Sequence, residues 1–145
     1  MKNAECRIIK KVAAVLACCL LLCGCAGLGD WAAPLVEDYA IWRLNGYQIV
    51  LVREHNGGSG GQIVIDTYIY RVTWNEEFIC VQRTDPPKEN EGLPIVPEVS
   101  YYILRVSDGE VFGPYTAAEY KAQCEALEVS GLPDWMYVTD LAKVR

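Results

Sequence analysis

The sequence predicts an α+β fold that is mainly β: an antiparallel meander of about seven strands with one C-terminal helix, preceded by a cleaved signal peptide. Three observations carry this expectation. From Asp38 onward, runs rich in Val, Ile, Tyr and Trp alternate with turn residues, as in Tyr39–Leu44, Asn45-Gly46 and Tyr47–Arg53. After Thr116 the apolar residues change to a helical spacing. Ahead of both, basic residues precede an apolar run, Val12–Leu22, that has no polar face.

The N-terminus comes first. Lys2, Arg7, Lys10 and Lys11 form a charged head, and Val12–Leu22 adds 11 uncharged residues. At about 1.5 Å per residue, that run is too short for a bilayer core of about 30 Å. It has the length of a signal-peptide apolar region. Leu22-Cys23-Gly24-Cys25 follows. This tetrad resembles a bacterial lipobox, with an aliphatic residue three before a cysteine and a small residue directly before it. The resemblance implies that Leu22, Cys23 and Gly24 are read by the signal peptidase. It implies cleavage after Gly24 and a diacylglyceryl thioether on Cys25. Such chemistry needs cysteine because the thiolate is the nucleophile. Two acyl chains on one residue give stable membrane residence, where one chain is marginal. The expected organisation is a lipoprotein signal peptide at 1–24, a lipidated tether at 25–37, a β-rich domain at 38–138 and a tail at 139–145.

Charge narrows the partners. The whole chain has 13 Lys+Arg against 19 Asp+Glu, a net charge of −6. Residues 1–24 hold four of those cations and one acid, Glu5, so the remainder has 9 cations, 18 acids and a net charge of −9. An acidic chain without a basic stripe is a poor nucleic-acid binder. A polybasic grip on anionic lipid is equally disfavoured, because Lys and Arg do not cluster.

The elements follow in order. Tyr39–Leu44 and Tyr47–Arg53 flank Asn45-Gly46, a strong hairpin signal because both residues tolerate positive φ. Glu54–Gly61 is a loop. Gln62–Trp74 is one long strand, or two strands bent near Asp66-Thr67. Asn75-Glu76 turns the chain into Glu77–Arg83. Thr84–Glu98 is a proline-rich, charged surface loop. Val99–Val106 and Glu110–Gly113 form a third hairpin around Ser107-Asp108-Gly109. Thr116 and Glu119 form a capping box for a helix over Ala117–Val129, with Tyr120, Cys124 and Leu127 on one face and Ala117 joining them. Gly131 and Pro133 stop that helix. Trp135–Val138 adds an edge strand or packs back on the sheet, and Thr139–Arg145 frays.

Several segments resemble a family of small bacterial lipoproteins that carry an uncharacterised β-rich domain. These are Val72-Thr73-Trp74-Asn75-Glu76-Glu77-Phe78-Ile79, Tyr101-Tyr102-Ile103, Gly113-Pro114-Tyr115 with Glu119-Tyr120, and Gly46-Tyr47-Gln48-Ile49-Val50. The resemblance implies this fold and a lipoprotein location, and it transfers no catalytic residue.

Candidate sites are few. His55, the one histidine, sits beside Glu54 in a loop. It can serve as a general base only with a partner constellation, and otherwise it is a solvated loop residue. Gly57–Gly61 lacks the Lys and Ser/Thr of a phosphate loop, so it reads as a flexible link. Cys80 and Cys124 remain after cleavage; they are either a disulfide, favoured in an oxidising compartment, or two buried thiols. Asp85, Glu89, Glu91 and Glu98 lack the alternating spacing of a calcium loop. Tyr68, Tyr70, Val72 and Trp74 share one strand face, with Trp42 and Tyr102 joining that core. No cofactor or metal is expected.

The expected function is that of a membrane-anchored, non-catalytic binding or accessory module of the cell envelope. Its partners would be the membrane, through the lipidated cysteine, and a protein or envelope polymer. The alternatives are a protective or inhibitory lipoprotein, or a small hydrolase using loop carboxylates and His55.

Overall fold

A computed structural model describes residues 30–55, 60–85 and 98–143. Strands β1 (Trp31–Val36), β2 (Tyr39–Asn45), β3 (Gln48–Glu54) and β4 (Gly61–Ile65) form one antiparallel sheet in chain order. Strands β5 (Ile69–Trp74), β6 (Phe78–Arg83), β7 (Ser100–Arg105), β8 (Val111–Tyr115) and β9 (Met136–Tyr137) form a second, in the order β8-β7-β6-β5-β9. Helix α1 spans Ala117–Ala126 and helix α2 spans Val138–Leu141.

The inner faces of the two sheets share one core. Tyr39, Ile41, Ile49, Leu51 and Ile65 of the first sheet pack with Ile69, Val72, Ile79, Val81 and Leu104 of the second. Alternation along each strand produces this, since every second side chain points inward. Each fully buried Ile or Leu contributes roughly 1.5–3 kcal/mol of transfer free energy. The outer face of the second sheet is covered. Phe78, Cys80 and Ile103 there pack against Tyr120, Cys124 and Leu127, on α1 and just beyond its end, and against Val129, Leu132 and Trp135. The outer face of the first sheet carries Ala40, Val50 and Val52, with Trp42 against them.

The mainly β fold and the helix near the C-terminus stand, with nine strands among the described residues where about seven were expected. The extra ones are β1 and β9. Trp31–Val36 lies inside the expected tether, yet it pairs with β2 from Trp31↔Arg43 to Val36↔Tyr39. Ala and Pro depress strand propensity, but Pro34 sits on an edge strand, where its missing N–H costs least. Gln62–Trp74 is two strands, and the chain crosses between sheets at Asp66–Tyr68. The expected tail is also corrected: Val138 and Leu141 are buried in the central core, and α2 ties the segment down. Ala117 is exposed and does not join the helical face. Trp42 packs on the outer cluster rather than the central one. Tyr70 leaves the shared face because the register shifts between Ile69 and Arg71.

The first hairpin forms, but not with positive φ at Asn45 or Gly46. The turn residues are Gly46 and Tyr47, and the Tyr47 N–H donates to Asn45 Oδ1 at 2.8 Å. The signal peptide, Leu22, Cys23, Gly24 and Cys25 lie outside the described residues, as do 57–59 of the glycine loop and 86–97 of the acidic loop.

The topology creates two poles. One gathers the Trp31 end of β1, the β2–β3 turn and the sheet crossing, where Thr67 Oγ1 donates to the Tyr47 carbonyl at 2.8 Å. The other gathers the β1–β2, β5–β6 and β7–β8 turns.

Candidate functional site: a mixed-charge cleft

The second pole opens into a cleft of about 540 Å³ lined by Glu37, Asp38, Arg53, Glu76, Glu77, Phe78, Arg105, Val106 and Ser107. That volume falls in the range of ligand pockets. The four acids are placed by turns and the two arginines by strand ends. Glu37 and Asp38 form the β1–β2 turn, and Glu37 takes φ +51. This left-handed geometry favours glycine, so a glutamate there stores strain. The Glu54 N–H donates to the Asp38 carbonyl at 2.6 Å, which closes the turn against β3. Arg53 Nε then donates to Asp38 Oδ2 at 2.8 Å, and its guanidinium lies 5.6 Å from the Tyr39 ring centroid.

Across the cleft, Asn75 Oδ1 accepts from the N–H groups of Glu77, at 2.9 Å, and Phe78, at 2.8 Å. This side-chain turn fixes where Glu76 and Glu77 project. The Val106 N–H donates to the Glu77 carbonyl at 2.9 Å and ties the two turns together. Arg105 Nη2 donates to Asp108 Oδ2 at 2.7 Å and also to Glu110. Gly109 takes φ +74, and a Cβ there would stand 3.0 Å from the Tyr39 hydroxyl. That glycine lets the β7–β8 turn approach the first sheet.

The electrostatics are those of fixed charge. The Arg53 guanidinium holds the Asp38 carboxyl below its ordinary range, and Arg105 does the same for Asp108. Both arginines are pushed further toward the charged state by the same pairs. Glu37, Glu76 and Glu77 have no ion pair among the described residues, so the cleft carries surplus negative charge.

His55 is exposed and does not line the cleft. Its charge is a minor contributor to the lowered Asp38 value. Its N–H donates to the Gly60 carbonyl at 2.8 Å, closing the glycine loop.

Cys80 and Cys124 are free thiols, not a disulfide. The Tyr120 hydroxyl contacts both sulfurs, and burial pushes the Cys80 thiol up to about 12. Tyr120 also stacks on Tyr101, with ring centroids 4.9 Å apart, and Trp135 packs edgewise against Tyr101 at 6.2 Å. This is a packing cluster between α1 and the second sheet. Asp85 and Glu98 flank a smaller hollow with Arg83, whose Nη1 donates to the Tyr102 hydroxyl at 3.0 Å. Among the described residues, no group of three or more His, Cys, Asp or Glu could hold a metal ion. No helix there is long and apolar enough to cross a membrane.

None of the cleft residues was expected to form a site, although Glu76, Glu77 and Phe78 lie in a segment that carries the family resemblance. The available signal was the acidic pairs Glu37-Asp38 and Glu76-Glu77. Their meeting depends on how two sheets pack, which local patterns do not encode.

A family model described as a protein of unknown function (DUF3997) matches residues 36–133. No curated protein and no solved structure matches the chain.

Proposed function

The chain belongs to the DUF3997 family of proteins of unknown function, and from that premise we propose a membrane-anchored lipoprotein whose β-sandwich binds a cationic partner in the mixed-charge cleft. The anchor is a diacylglyceryl thioether on Cys25. The partner is a protein or envelope polymer. One observation supports this arrangement above the others: β1 starts at one pole, six residues after Cys25, and delivers the chain to the cleft at the opposite pole. A strand of that length covers about 20 Å. An anchor at the first pole therefore leaves the cleft open toward whatever stands above the membrane.

Surplus negative charge at Glu37, Glu76 and Glu77 favours a basic surface and steers it in. The hydrolase alternative loses ground, because His55 stands outside the cleft and the neighbouring aspartates are held ionised.

Crosslinking and affinity capture of the lipidated protein from its own membranes tests the proposal. One stoichiometric partner is expected. Cys25→Ser should release the protein from the membrane and lose that partner. Glu76→Lys with Glu77→Lys should keep the protein at the membrane and still lose it. Recovery of no partner, or of one that tolerates the charge reversal, contradicts the reading.

A further inference from the structure

The pole where β1 begins has its own surface chemistry. Trp31 pairs with Arg43, and the hairpin closes at Asn45↔Gln48, so the strand start and hairpin tip lie side by side. Large apolar groups stand in water there: Leu44 is 38% exposed and Tyr47 44%. Beside them is a hollow of about 270 Å³, whose walls include Trp31, Trp42 and Leu44. Arg43 is the one cation lining it and Asp30 offsets that charge, so the hollow does not attract an anionic surface.

The length of chain ahead of this pole decides what covers it. Trp31 follows Cys25 by six residues. Fully extended, they reach about 20 Å. The start of β1 therefore stays within that distance of the acylated cysteine, and the tip lies a few residues beyond it. Trp and Tyr settle at the headgroup level of a bilayer, where the ring is buried and its polar atom is hydrated. So short a tether also gives an effective concentration on the order of millimolar, so a weak interfacial affinity is enough to hold the contact.

We infer that this pole is a bilayer-docking surface, with Leu44 and Tyr47 inserted in the headgroup layer of the membrane that holds Cys25 and the half-buried Trp31 at its edge. The inference rests on the anchoring reading above. It adds orientation: the domain stands on its β2–β3 tip and holds the cleft away from lipid. Because the contact is apolar, salt leaves it intact, unlike a polybasic attachment.

The test uses the lipidated protein in phosphatidylethanolamine–phosphatidylglycerol vesicles, with lipids brominated near the glycerol. Of the 4 tryptophans, Trp31 stands beside the tip, whereas Trp42 lines the hollow but turns its indole toward Glu54 at the far end of β3. Brominated lipid should remove roughly a quarter of the emission, the share of Trp31, since interfacial rings meet the quencher. Leu44→Glu with Tyr47→Glu changes exposed positions, and folding is checked by circular dichroism. That variant should still sediment with vesicles and lose most of the quenching. Ser107→Trp at the opposite pole should add unquenched emission. Native protein that sediments but is not quenched overturns docking and leaves the anchor standing. Crosslinks joining Tyr47 of two copies without quenching also overturn it, making the surface a self-association contact. Lipidated protein that does not sediment overturns the anchor and this inference together.

Discussion

Two glutamates occupy backbone positions that suit glycine, and they separate function from stability. Glu37 takes φ +51 in the cleft-lining turn and Glu128 takes φ +56 just past α1. Glu128 completes a Schellman end: its N–H reaches the Glu125 carbonyl at 3.2 Å, and the Val129 N–H reaches the Cys124 carbonyl at 2.8 Å. Left-handed geometry costs a side chain about 1 kcal/mol. Glu37→Gly and Glu128→Gly should therefore each raise stability by about that amount in denaturant unfolding. Only Glu37→Gly should weaken partner capture; equal binding by both would mean that the Glu37 carboxylate is not used. Cys80 gives a second expectation. With the thiol up at about 12, the unfolded chain ionises first as pH rises. Its stabilising share is intact below about pH 9 and is lost between there and about 12. Folded protein should protect Cys80 from alkylation at pH 8, and unfolding should release it.

At the scale of elements, local chemistry was legible and non-local pairing was not. The capping box is present in both directions: Glu119 N–H to Thr116 Oγ1 at 3.3 Å, and Thr116 N–H to Glu119 Oε2 at 2.8 Å. Thr116→Ala should cost about 1 kcal/mol, visible as faster amide exchange in the first turn of α1. The hairpins at Tyr47 and Asp108 were equally readable, because their turn residues bond their own backbones. β1 was not, since the value of Ala-Ala-Pro depends on having β2 as a neighbour. β9 was left open because two residues carry no period. The charged turns add an acid sensitivity. Asp38 and Asp108 have lowered values, so their share of stability is present above about pH 4 and is lost as pH falls through the lowered values. Asp38→Asn should flatten that acid limb in a pH series. Both groups are exposed, so the change should be small.

The whole molecule is a sandwich with unlike poles. Its core draws on both sheets, so Ile79→Ala or Leu104→Ala should cost 2–5 kcal/mol and unfold both sheets in one transition. Separate transitions for β1–β4 and β5–β9 would break the single-core account. The cleft belongs to this scale too, since its acids come from turns of different sheets. That explains why charge bookkeeping along the sequence found an acidic chain but no site. On the proposed arrangement, one pole meets lipid and the other meets a partner. Site-specific photocrosslinking in native membranes, with the reactive group replacing Glu77 in one variant and Tyr47 in another, tests it most directly. One discrete partner adduct is expected from position 77 and lipid adducts from position 47. The same adduct from both positions, or lipid adducts from position 77, would contradict it.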